Sequence, residues 1–130
     1  MKMSTPLAEN QVLSHLSEAD LQKMLANAQE RGGQLLNGLR ELQHEFPVIG
    51  NVRGLGLMVG SEFRTPEGNP DKSTAKAVLH ACLDDKLLLL TCGAWDNTVR
   101  WIPPLIVTEP HIAEALAIFR RALLKVTGKE

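Results

Sequence analysis

The sequence contains only two cysteines, Cys82 and Cys92, with nine residues between them. That spacing matches neither a disulfide framework nor the paired ligands of a zinc site, so both are expected to be free, partly buried thiols. Excess charge is also missing: 14 lysines and arginines against 15 aspartates and glutamates leave a formal net charge of −1. Without a basic surplus, neither nucleic acid nor an anionic membrane surface is an expected partner. Long apolar runs are absent, and Leu87–Leu90 falls far short of the ~20 residues a membrane-spanning helix needs. No basic, apolar and cleavage-site succession opens the chain, so the expected location is cytoplasmic. The histidines, His15, His44, His80 and His111, stand at no ligand spacing from another candidate, and no metal site is expected.

What is present describes a folded body. An apolar fraction of 44% and a charged fraction of 22% lie far from the composition of disordered chains. The length suits one domain, which should bury about two thirds of the surface its unfolded form exposes.

Periodicity gives the order of elements. Leu21, Met24, Leu25, Ala28, Gly32, Leu35, Leu36, Leu39 and Leu42 advance by threes and fours, predicting a long amphipathic helix from about Ser17 to Glu45 that Phe46-Pro47 ends. Gly32 lies on that stripe at a cost of about 1 kcal/mol relative to alanine. It is either a tolerated defect or a place where a neighbour approaches closely. From Val48 the period becomes two, predicting a strand with Leu55, Leu57, Val59 and Phe63 on one face and Gly56, Met58, Gly60 and Glu62 on the other. A turn-rich loop, Thr65 to Pro70, precedes a helix capped by Ser73 that runs to about Lys86. Strands are predicted over Leu87–Thr91 and Thr98–Ile102, paired as a hairpin and closed by Pro103-Pro104. Thr108 caps a last helix with Ile112, Ala115, Leu116, Phe119 and Leu123 on its buried stripe and Gly128 at its end.

This succession predicts an α/β fold: a two-layer sandwich with a small sheet of three to four strands and helices on one face. Leu55, Leu57, Val59, Val99 and Trp101 are expected to meet the stripes of the first and last helices. Residues 1 to about 10 carry no periodicity and read as a frayed terminus.

Motifs for chemistry are few. Gly54-Leu55-Gly56 followed by Gly60 approaches a dinucleotide fingerprint, but its third glycine comes one residue late and no helix begins there. Interior strand glycines more commonly admit another backbone or a ligand. The seven lysines fall in termini, in a loop or on polar helix faces, away from the desolvated or cationic setting that activates a Schiff-base lysine. No nucleophile elbow and no carboxylate pair placed for acid-base work can be found. Arg100 is the one charge in an otherwise apolar stretch, between Val99 and Trp101. Its stem can lie along a sheet edge with the head in water, or its guanidinium fork can clamp a carboxylate.

Three stretches carry a resemblance. They are Leu36-Asn37-Gly38-Leu39-Arg40-Glu41-Leu42 ending the first helix, Val52-Arg53-Gly54-Leu55-Gly56-Leu57-Met58-Val59-Gly60 with Glu62, and Leu88 to Leu105 with its Thr-Cys-Gly, Asn-x-x-Arg and Pro-Pro-Leu elements. Together they resemble the C-terminal domain of the class III aminotransferases, a family of 4-aminobutyrate, ornithine and acetylornithine aminotransferases, and within it the 4-aminobutyrate type. The resemblance implies that residues 11–130 form the small domain of a fold type I enzyme that uses pyridoxal phosphate. It implies that Arg100 binds a substrate carboxylate or pairs with a glutamate of the large domain. Val52-Arg53-Gly54 resembles a structural turn of the family, which makes Arg53, Gly54 and Gly56 structural residues near the site.

The Schiff-base lysine, the aspartate that pairs with the pyridine nitrogen and the phosphate-binding loop belong to the family's large domain. They have no counterpart in these 130 residues. The resemblance therefore implies a substrate-recognition domain that binds no cofactor and does not transaminate alone. Its expected partners are the large domain and a carboxylate-bearing amino acid such as 4-aminobutyrate or another ω-amino acid, in a homodimeric parent. The alternative is a stand-alone module, derived from the fold, that binds a carboxylate or a protein without catalysis.

Overall fold

The computed structural model describes residues 16–129; the segment expected to fray, residues 1 to about 10, lies outside them. Helix α1, Glu18–Glu45, begins at Ser17, whose hydroxyl accepts from the Asp20 amide at 3.1 Å while the Asp20 carboxylate accepts from the Ser17 amide. This reciprocal cap satisfies two of the amides that a helix start leaves open. Strands β1, Ile49–Leu55, and β2, Met58–Phe63, follow, then α2, Lys72–Asp84, β3, Leu90–Cys92, β4, Thr98–Trp101, and α3, Glu109–Thr127. All strand pairs are antiparallel in the order β1-β2-β4-β3. Helix α3 touches both α1 and α2, and those two do not touch each other. The helices cover the sheet face that carries Val52, Val59, Phe63, Val99 and Trp101, giving the two-layer α/β sandwich expected from the sequence.

The core is shared between the layers. Leu35, Leu39, Phe46, Val78, Ile112, Phe119 and Leu123 are buried against the covered sheet face. Phe119 stands edge-on to Trp101, with ring centroids 4.9 Å apart, and to Phe63 at 6.4 Å. Leu116 is only half-buried. The stripe of α1 is buried from Arg31 onward, while Leu25 remains 45% exposed, because a helix of 28 residues, at ~1.5 Å per residue, overshoots so small a sheet.

The long strand expected from Val48 is instead a hairpin. Leu55 pairs with Met58 across a two-residue turn whose first residue, Gly56, has φ +57°. Positive φ at that position alone fits a type II′ turn, which suits the right-handed twist of paired strands. After the bulge between Ile49 and Asn51, the turn inverts the parity of burial: even-numbered Val52 of β1 faces the helices, whereas odd-numbered residues of β2 do. Leu55 is consequently 89% exposed, not packed on the helices as expected, and Leu57 turns inward at 7%. Val52-Arg53-Gly54 lies within β1 and is no turn.

Other boundaries also shift. Asp71, not Ser73, caps α2, its carboxylate accepting from the Thr74 amide at 3.0 Å and the Thr74 hydroxyl at 2.7 Å. An ionised acceptor is favoured at the positive end of a helix. The strand expected at Leu87 starts only at Leu90. Lys86 adopts φ 65° and the Leu87 amide donates back to Cys82, so the chain is still closing α2 there.

Gly32 has a physical reason. A β-carbon at this position would lie 2.9 Å from Gly56 Cα and closer still to the Gly56 carbonyl, so the hairpin turn rests directly on α1. Gly32→Ala would gain about 1 kcal/mol of helix propensity but force the turn away at a cost of about 1–3 kcal/mol. We expect a net loss of about 1 kcal/mol in denaturant titrations. A stabilised variant would show that the turn does not rest on this helix.

Candidate functional site

The second face of the sheet is left open by the helices. Alternation along the strands places Arg53, Met58, Gly60, Glu62, Thr98, Arg100, Leu90 and Cys92 on it. Met58 is 64% and Leu90 53% exposed, so this face presents apolar as well as charged groups.

Arg100 sits in β4 with Gly60 opposite on one side and Leu90 on the other. Ladders on both flanks hold its backbone, yet the residue is exposed, and among the described residues its side chain makes no ion pair or hydrogen bond. Of its two sequence readings, the stem along a sheet edge is thereby corrected: β4 is an interior strand. With Arg53, Gly54, Met58, Val59, Gly60, Cys92 and Thr98, Arg100 lines a shallow groove of about 210 Å³.

The base of β4 is anchored by Asn97, 3% exposed, a residue whose role sequence reasoning missed. Its side-chain amide donates to the Phe63 carbonyl at 2.8 Å, and the Phe63 amide donates back to the Asn97 carbonyl at 2.7 Å. A buried polar side chain must find such partners, and here they fix the register of the strand that carries Arg100. Asn27 secures the other end, donating to the Leu105 and Val107 carbonyls at 2.9 Å each and holding the segment after Pro103-Pro104 against α1.

Arg53 lies on the open face with Nη1 2.8 Å from Glu62, and Arg64 pairs with the other oxygen of the same carboxylate. Burial works against ionisation of Glu62, but hydrogen bonds from Arg53 and Arg64 and their charges outweigh it and hold the carboxyl below the usual carboxylate range. Gly54 is packed against β2, where a β-carbon would fall 2.7 Å from Val59 Cα, and Gly56 forms the turn on α1. The structure thus brings Arg53 and Arg100 into one groove, while Gly54 and Gly56 shape the hairpin beside it.

Groups elsewhere are placed differently. The described lysines, Lys23, Lys72, Lys76, Lys86, Lys125 and Lys129, are all exposed. Cys82 and Cys92 are free, the first buried and the second half-buried. Burial, with a smaller contribution from the Asp85 charge, pushes the Cys82 thiol up to about 12, which makes it inert at neutral pH. Among the described residues no three histidine, cysteine or acidic groups come together to hold a metal, and no helix is long and apolar enough to cross a membrane.

Residues 3–123 match the family model described as aminotransferase class-III. The chain belongs to the class-III aminotransferases. It is 36% identical to an alanine/serine racemase of Pyrococcus horikoshii, the match covering 96% of this chain and 27% of that protein. It is 30% identical to the 5-aminovalerate aminotransferase DavT of Pseudomonas putida, over 94% of this chain and 29% of the relative. Among solved structures, an N-acetylornithine aminotransferase from Stenotrophomonas maltophilia superposes with a TM-score of 0.72 at 28% identity, over 83% of this chain and 28% of that one. The chain therefore spans little more than a quarter of the proteins it matches, which implies a larger parent architecture, and its fold is that of the C-terminal domain of fold type I enzymes.

Proposed function

We propose that this chain is the substrate-recognition domain, residues 11–130, of a cytoplasmic, homodimeric aminotransferase that uses pyridoxal phosphate. In this reading the parent moves an amino group from an ω-amino acid, such as 4-aminobutyrate, to a 2-oxo acid. The observation that carries the reading is Arg100, an exposed guanidinium held by an interior strand, without a partner among the described residues, in a chain of this family. A bidentate fork of permanent charge is the group best suited to hold a substrate carboxylate. The name of the DavT relative, a 5-aminovalerate aminotransferase, supports the ω-amino acid class.

The cofactor supplies the electron sink of transamination when it is bound. The described residues do not suit its aldehyde, because a Schiff-base lysine needs a desolvated or cationic setting and every described lysine is exposed. We therefore assign cofactor binding to the large domain of the parent. Treating the isolated chain with excess pyridoxal phosphate and borohydride should label lysines only sparsely, as read by mass analysis. Stoichiometric labelling of a single lysine would sink this assignment. Sequencing the gene upstream of the Met1 codon tests the whole reading: an in-frame large domain with its lysine motif is expected, and a stop codon would favour a non-catalytic binding module.

A further inference from the structure

Among the described residues five polar or charged side chains are buried, and four of them are hydrogen-bonded. Arg31 donates to Gln34, Ser61 to the Val99 carbonyl and Asn97 to the Phe63 carbonyl, while Glu62 accepts from Arg53. Thr98 is the exception. It is 5% exposed, and its hydroxyl makes no hydrogen bond among the described residues. A buried polar group without a partner is costly, so its place in a packed strand calls for a reason. Among the described residues, no wholly enclosed side-chain nitrogen or oxygen lacks a partner. The Thr98 oxygen therefore keeps an opening, and it lies in the groove that Thr98 lines with Arg100.

Register sets this hydroxyl beside the guanidinium. One rung of the sheet runs Arg53-Gly60-Arg100, and the next on the same face runs Glu62-Thr98-Cys92. Thr98 and Arg100 stand two residues apart on β4, so their Cα atoms lie roughly 7 Å apart with side chains on one face. Glycines flank the threonine: a β-carbon on Gly93 would lie 3.5 Å from its hydroxyl oxygen, and one on Gly60 would lie 3.1 Å from its methyl group. Neither position carries a side chain that could stand over it. No acidic residue lines the groove, and Glu62, opposite Thr98, is taken by Arg53 and Arg64.

We propose that Thr98 is a second binding residue for the substrate carboxylate, its hydroxyl donating to an oxygen that the Arg100 fork holds. A carboxylate offers about four lone-pair sites on its two oxygens, and a bidentate guanidinium fills two of them. A further donor already fixed in the sheet can fill a third without first having to be ordered. Threonine suits this, because its χ1 is stiff and ladders on both flanks hold its backbone. The other polar side chains of the groove do not: the Cys92 thiol is a weak donor, and Arg53 is engaged by Glu62. The inference rests on the reading of Arg100 given above and adds a neutral donor to it.

The test is a titration of the ¹⁵N-labelled 130-residue chain with valerate, following the amides of Gly60 and Arg100. Thr98→Val keeps the shape of the side chain and removes the hydroxyl. It should weaken valerate binding by roughly tenfold or more, the range for a hydrogen bond to a charged group. Thr98→Ser loses the methyl group and keeps the hydroxyl, and should retain most of the affinity, which separates the hydrogen bond from a packing defect. Undiminished binding in Thr98→Val, equal losses in Thr98→Val and Thr98→Ser, or no saturable binding by the unaltered chain would each overturn the proposal. Arg100→Ala reads the underlying assignment separately. Binding lost in that variant but kept in Thr98→Val removes the threonine contact alone, whereas unchanged valerate binding in Arg100→Ala removes the clamp itself.

Discussion

In a full-length aminotransferase carrying this domain, Arg100→Ala is expected to lower kcat/KM for glutamate by about ten- to a hundredfold or more. The magnitude follows from a charge-assisted pair to a carboxylate, worth about 1.5 to 3 kcal/mol. Truncating the side chain removes no core contact, because Arg100 points to the open face while its neighbours Val99 and Trp101 are buried. Its backbone stays laddered to β2 and β3. Attachment of pyridoxal phosphate should be spared, since the residue is assigned to substrate and not to cofactor. Arg100→Lys should recover only part of the loss, because an ammonium keeps the charge but not the two-pronged geometry. Steady-state kinetics with glutamate and with a carboxylate-free amine separate the alternatives. Equal losses for both substrates would make Arg100 a structural residue and end the clamp assignment.

The largest effect on stability is expected at Phe119. The residue is fully buried at the junction of α3 with the sheet and touches both Trp101 and Phe63 edge-on. Phe119→Ala should cost about 3–5 kcal/mol, the sum of lost burial and the cavity left behind. That is a large share of the roughly 5–15 kcal/mol by which domains are stable. Chemical denaturation of the isolated chain should show a markedly lower midpoint. A loss below about 1 kcal/mol would mean that α3 does not pack on the sheet as described. Leu116→Ala, on the same helix but only half-buried, should cost less, which makes the pair an internal control.

The sequence by itself determined the elements whose signals are local. The stripe of α1, the cap at Thr108 and the glycine after α3 each act within a few residues, so the helix ends they mark were legible. The two-layer class followed from the order of those elements and from their apolar faces. Arg100 stood out as one charge among apolar neighbours, and the family resemblance suggested the role proposed for it. What only the tertiary structure decided depends on residues distant in sequence. The two-residue turn at Gly56-Leu57 hides in a period-two pattern, because the alternation runs through the turn while the buried parity inverts. Its placement on Gly32 pairs two glycines more than twenty residues apart, and neither alone reveals the other. The service of Asn97 to Phe63 and the rung Arg53-Gly60-Arg100 likewise exist only once the strands are in register. Periodicity tells which way a side chain points along its own element, but register between elements is set by packing, and the groove is a product of register.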